Sequence, residues 1–185
     1  KDALPEGTYH AYIDSEIFNG SLTYGEVVIP STENCPQGGD EILFSTYDCH
    51  PSMANNECSG PAVSVYLAKW LKTLPYRRYT YRFLYIPETI GSITYLSQGD
   101  HLAHLKAHVK AGFNLSCVGD DRTYTYVATR YGDTLADRVA QNVLHFHYPQ
   151  YEKRTFLDRG SDERQYNAPG VDIPVCAICR SKYSE

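Results

Sequence analysis

The sequence predicts a three-layer α/β domain with a central mixed, mostly parallel sheet. Three observations lead there. Short apolar runs alternate along the chain with stretches of helical spacing. Clusters of polar residues follow directly on the apolar runs, as loops at the carboxyl ends of parallel strands do. Neither an internal repeat nor a run of eighteen apolar residues interrupts this alternation.

Tyr9 to Ile17 and Ser21 to Ile29 read as two strands, and Asn19-Gly20 between them is a hairpin signal. Residues 30–40, rich in Pro, Gly and Asn, read as a loop. Glu41 to Tyr47 is a third strand. Residues 61–74 are the clearest helix: Val63, Leu67, Trp70, Leu71 and Leu74 form one apolar stripe at helical spacing, which places Trp70 in the core. Pro61 suits its first turn, with Ser59 or Gly60 as cap. Thr80 to Ile86 is a strand, and Pro87 to Ser92 its strand-to-helix loop.

Asp100 to Lys110 is a helix with Leu102, Leu105 and Val109 inward, and its His101, His104 and His108 read as a solvated face. Phe113 to Val118 is a strand, Tyr124 to Thr129 a shorter one, and Asp133 to Phe146 a helix with Leu135, Val139, Val143 and Leu144 apolar. Arg154 to Leu157 is a short strand, and Ile173 to Ile178 a last buried one.

With 185 residues the chain suffices for one core-bearing domain, and residues 1–185 read as a single one. A net charge of −5 argues against a nucleic-acid surface, and the missing apolar run argues against a membrane span. Six cysteines lie at 35, 49, 58, 117, 176 and 179 without a disulfide framework, so a cytoplasmic location is expected. Cys176 and Cys179 have CxxC spacing, but residues three apart in a strand face opposite ways, so they read as core thiols.

Four polar clusters follow predicted strands: His50 to Glu57, Glu88, Asp120-Asp121, and Asp162-Glu163. In a parallel sheet such exits converge on one edge. One histidine and several carboxylates there suit a metal or acid–base site.

The same stretches carry a resemblance that covers almost the whole chain. Residues 49–57 (CHPSMANNE), 87–92 (PETIGS) and 159–166 (RGSDERQY) are phrases of a bacterial group of proteins with an aminopeptidase-like domain. Residues 50–60 also resemble the first metal-binding segment of the co-catalytic zinc aminopeptidases. That resemblance implies a zinc-exopeptidase-like fold and a metal-dependent hydrolase acting on a peptide or small amide. It places His50 on the first zinc-binding histidine and Glu88 on the general base. Asn56, Thr89 and Ser116 fall where that family has carboxylate ligands. Ser52 replaces the aspartate of His-x-Asp, and Glu163 the histidine of Gly-Ser-Asp-His.

A carboxamide such as Asn56 is a poor bridge between two dications, so one zinc ion is implied rather than two. His50, Glu57 and Asp120 are its expected ligands, with Asp121 in reserve. Asn56, Arg159, Asp162 and Glu163 remain for the substrate, an ion-pair network of Arg159, Asp162, Glu163 and Arg164 being the alternative. The family's last histidine follows the final strand, and no such residue stands here before Glu185. The chain therefore reads as an internal piece that holds metal weakly or not at all, within a longer protein that holds one ion. Two rivals stay open: a hydrolase of an acylated amino sugar or small metabolite, and a binding module whose metal site has decayed. Homo-oligomerisation is also left open.

Overall fold

The computed structural model describes residues 4–33, 39–158 and 160–181. Among them a seven-stranded sheet runs in the order β1-β3-β2-β4-β7-β5-β6. Its strands are β1 (Gly25–Ile29), β2 (Glu41–Tyr47), β3 (Thr80–Ile86), β4 (Val109–Leu115), β5 (Thr125–Val127), β6 (Glu152–Arg154) and β7 (Val175–Cys179). β2 is parallel to β3 and β4, and β4 to β7; β1 and β5 add antiparallel pairs on β3 and β7, and β6 closes the far end parallel to β5. This is the mixed, mostly parallel sheet expected.

Alternation along the strands sorts the two layers of helix. Ile42 and Phe44 on β2, and Tyr81, Phe83 and Tyr85 on β3, face one side. There α1 (Ser59–Thr73) and α4 (Leu135–His147) cover the sheet, with Phe44 stacked between Phe83 at 4.9 Å and Phe113 at 5.7 Å. Leu43, Leu84, Ile86 and Val175 face the other side, toward α2 (Ile90–Ser97), α3 (His101–His108) and α5 (Glu163–Tyr166). Period-two alternation thus builds two cores from one sheet.

Several expectations are corrected. The N-terminal hairpin does not form: only Gly25–Ile29 is a strand, and Tyr12, Ile13, Ile17 and Phe18 are exposed. A two-stranded ribbon with nothing packed on it has little to stabilise it. Helix α3 stops at His108, because Val109 pairs beside Glu41 and opens β4. Helices α2 and α5 were not anticipated as elements.

Trp70 is 56% exposed, not buried, and Val63 lies outside with it. The face α1 turns inward carries Gly60, Ser64, Ala68 and Leu71. Small residues let that helix approach a sheet surface already filled by aromatic rings.

The α3 histidines are not a solvated face either. His101 stacks on Tyr95 at 4.1 Å, and His108 Nδ1 lies 3.0 Å from Gly39 O. His104 Nε2 lies 2.8 Å from the buried Glu41 carboxylate. Arg82 joins that carboxylate by two hydrogen bonds, of 2.7 and 3.0 Å, and also pairs with Glu26. Burial alone would raise the Glu41 carboxyl, but Arg82 and His104 outweigh it and hold the group below the usual carboxylate range. Cys176 and Cys179 are buried on opposite sides of β7, approaching Ala136 O and Thr125 O, as core thiols should. No helix among the described residues is long and apolar enough to cross a membrane.

Candidate metal centre at the carboxyl edge of the sheet

Because β2, β3, β4 and β7 run parallel, their exits meet at one edge. The exit of β2 turns through His50 to Met53, where Met53 N–H donates to His50 O at 3.0 Å. A π-helical turn, Ala54–Cys58, then leads without a break into α1. Gly60 fixes how close this junction sits: a Cβ there would overlap Thr46 Oγ1 and the Leu115 carbonyl. The turn is thereby held against the ends of both β2 and β4.

The π turn aims Glu57 inward. Its side chain is 2% exposed. Oε2 accepts the Cys49 backbone N–H at 2.5 Å. Oε1 is buried without a hydrogen-bond partner and faces His50 Nε2 at 3.9 Å. His50 itself is 53% exposed and opens the group to solvent. Cys49, His50 and Glu57 each bring a ligand atom within 4.8 Å of the other two. Nitrogen, oxygen and sulfur donors at that spacing suit one zinc-like ion, and a buried carboxylate oxygen lacking a partner calls for a cation. The residues present therefore fit a single metal.

Asp120 does not join this group. Its carboxylate accepts from Asn55 Nδ2 at 2.9 Å, from Arg122 N–H at 3.0 Å and from Ser181 Oγ. Those bonds overcome its partial burial and hold its carboxyl below the usual range. Asn55 ties it to the far side of the π turn, so Asp120 braces the loop after β4. Asp121 is exposed. Cys49 stands where a second carboxylate was expected.

Glu88 reaches the edge from β3. Its backbone N–H donates to Cys49 Sγ at 3.2 Å, which seats the two exits side by side. Thr89 follows at φ 62°, ψ −64°, and Ile90 N–H donates to Glu88 O at 2.7 Å. This is a γ-turn of the rarer, strained hand. Asp162 holds it: Oδ1 accepts Thr89 N–H at 2.8 Å and Ser92 Oγ–H at 2.9 Å. Burial pushes the Asp162 carboxyl up to about 7, opposed by those two hydrogen bonds and reinforced by the Glu163 and Glu88 charges.

Asp162 and Glu163 are both fully buried. Glu163 accepts from Asn114 Nδ2 at 2.6 Å and Ser161 N–H at 3.1 Å. Expected at the substrate, both side chains are instead enclosed: Asp162 is bonded to the turn after Glu88, and Glu163 to Asn114 and Ser161. Arg159 lies outside the described residues.

Asn56 is half-buried, and its Nδ2 donates to Tyr47 Oη at 3.2 Å. Tyr47, not singled out from the sequence, is a buried phenol pushed up by burial and by the Glu88, Cys117 and Glu57 charges, against a hydrogen bond to Ser116. Burial also pushes up the Cys49 thiol; the Glu88 N–H opposes this, and the Glu57 and Glu88 carboxylates add to it. Asp48 is raised by burial and by Glu57. Burial is the larger cause in each case, and the Glu57 and Glu88 carboxylates add negative charge beside these groups, a setting a cation relieves. Only the Cys-His adjacency at 49–50 could have hinted at the thiol, since strand phase cannot be read through a loop.

Comparison with known proteins agrees with the fold. A Clostridium acetobutylicum protein, named provisionally for polysaccharide biosynthesis and for its aminopeptidase-like domain, is 42% identical over 182 residues. The match covers 98% of this chain and 40% of that protein. A crystal structure from the same species, provisionally called a peptidase, superposes with a TM-score of 0.78 at 41% identity, over 86% of this chain and 36% of the other. A zinc aminopeptidase from Bacillus subtilis shares the fold with a TM-score of 0.68 at 16% identity, over 86% and 40% of the two chains. The resemblance to aminopeptidase-like domain proteins is thus borne out. Residues 4–185 match the family described as Domain of unknown function (DUF4910), and the chain belongs to it.

Proposed function

We propose that this domain is the core of a metal-dependent hydrolase of aminopeptidase type, which removes an N-terminal residue from a peptide or cleaves an amide of similar shape. One observation carries the reading: the buried, unpartnered Glu57 Oε1 facing His50 Nε2 across 3.9 Å. His50 and Glu57 would hold the ion. A bound zinc ion supplies Lewis-acid polarisation of the scissile carbonyl and lowers the pKa of the attacking water.

The remaining chemistry belongs to this chain's own side chains. Glu88 is half-buried beside the cluster and is not itself one of its three donors. It takes a proton from the attacking water onto its carboxylate and returns it to the leaving nitrogen. The γ-turn held by Asp162 seats the Glu88 backbone beside Cys49, which supports this role. Asn56 and Tyr47 offer polar groups to orient the substrate amide. Loss of a general base of this kind lowers turnover by roughly 10²–10⁴-fold. Glu88→Gln should therefore lose turnover on that scale while keeping its metal; full activity in Glu88→Gln would refute the assignment.

A second reading has a specific basis in the name of the Clostridium relative, which points to polysaccharide biosynthesis. An acylated amino sugar presents the same amide chemistry to the same residues. Parallel assays of aminoacyl amides, short peptides and N-acyl amino sugars, each with and without a chelator, separate the two. Turnover of aminoacyl substrates alone supports the peptidase reading, and turnover of the sugars alone supports the second. No chelator-sensitive turnover of any of them would leave a binding module.

A further inference from the structure

We propose that Cys49 is the third protein donor of this centre, so that its metal is held by a thiolate, an imidazole and a carboxylate. The proposal rests on the metal-dependent reading above and changes the character of the site. Among the described residues, Cys49, His50 and Glu57 form the one group of three metal-ligating side chains whose donor atoms all lie within 4.8 Å of each other. With bonds of about 2.0–2.3 Å, a tetrahedral ion needs donors about 3.3–3.8 Å apart. His50 Nε2 and Glu57 Oε1, at 3.9 Å, already stand close to that spacing.

Glu57 provides the independent sign of a ligand. It is 2% exposed, one of its oxygens is anchored by the Cys49 backbone N–H, and the other accepts no hydrogen bond. The two ligand-bearing residues are thus locked together by a backbone bond before any ion arrives. Cys49 Sγ already accepts the Glu88 N–H at 3.2 Å, a contact that also suits a thiolate. Asp120 does not take its place, since it is engaged by Asn55, Arg122 and Ser181.

On binding, the Sγ–H bond breaks, the proton leaves to solvent, and the sulfur lone pair forms the bond to the ion. A thiolate and a carboxylate together neutralise one dication. A sulfur donor biases the site toward zinc or cobalt(II) and away from magnesium and calcium.

The test is titration of the metal-free protein with cobalt(II). The expected result is a near-ultraviolet sulfur-to-cobalt charge-transfer band together with visible d–d bands, both displaced by zinc. In Cys49→Ser the near-ultraviolet band should vanish. Zinc affinity should fall at least about 10–100-fold, the loss typical of outer-shell partners and a lower bound for a direct ligand. Saturating zinc should also protect Cys49 from iodoacetamide, while the exposed Cys58 stays reactive as internal control. This second measurement uses the unmodified protein and decides the matter even where Cys49→Ser fails to fold. Visible cobalt bands without the near-ultraviolet band, or alkylation of Cys49 at the same rate with and without zinc, would overturn the role of Cys49 and leave His50 and Glu57 as ligands. Absence of any cobalt or zinc binding would overturn both.

Discussion

Asp162 shows how one side chain couples stability to the site. It is fully buried, pushed up to about 7 mainly by burial, and holds the strained turn that follows Glu88. A carboxyl raised in the folded state stabilises the fold fully below its unfolded value near 3.8, and that contribution is lost as pH rises toward 7. At about 1.4 kcal/mol per pKa unit the loss amounts to several kcal/mol. Urea midpoints measured from pH 4 to pH 8 should fall through this window. Asp162→Asn, which keeps an acceptor for Thr89 N–H, should flatten the decline; an unchanged decline in that variant would show that another group causes it. The sequence offered Asp162 as a substrate contact or a member of an ion-pair network, not as a buried anchor. Its burial depends on α5, a four-residue helix too short to leave a periodic signal.

At the scale of elements, the sheet strands were legible because buried parallel strands read as apolar runs, as Ile42 to Phe44 and Val175 to Ile178 do. Helix faces were less so. The apolar stripe of α1 through Val63 and Trp70 lies outward, while Gly60, Ser64 and Ala68 meet the sheet. Bulk on that interface comes from Phe44, Tyr81 and Phe83, so hydrophobicity of the helix alone misdirects the assignment. α4 repeats the pattern, with Ala136, Ala140 and Leu144 inward and Val139 and Val143 substantially exposed. Trp70 is the single tryptophan. Its emission should be red-shifted and readily quenched by acrylamide, and Trp70→Gln should change stability by no more than about 0.5 kcal/mol, as at other exposed positions. A blue-shifted, protected emission would restore the buried placement.

For the whole molecule, one ionic network joins segments far apart in sequence. Glu26 of β1, Glu41 of β2, Arg82 of β3 and His104 of α3 meet at the end of the sheet away from the candidate centre. Arg82 and Glu41 are its buried pair, and removing one partner of such a pair costs about 3–5 kcal/mol, because the other keeps its burial and loses its counter-charge. Arg82→Met should lose that much stability. Glu41, held low by its partners, contributes stability above its unfolded value and loses it as the pH falls below about 4. Arg82→Met with unaltered urea and acid unfolding would refute this role. None of it was visible beforehand, since the bonded partners are 22 to 63 residues apart and meet only once the sheet register and α3 are in place.

The candidate centre combines both kinds of information. Its histidine and carboxylates stood out after the strands, and resemblance gave them roles. The expectation of weak or absent metal binding counted His50 as the only firm donor. The folded chain adds a buried Glu57 oxygen and the Cys49 sulfur beside it. The most direct measurement is zinc stoichiometry by equilibrium dialysis and elemental analysis, for the wild-type protein and for His50→Ala. A single-ion centre predicts one zinc per chain at saturation and loss of that zinc in His50→Ala. No zinc in the wild type, two tightly held ions, or undiminished zinc in His50→Ala would contradict it.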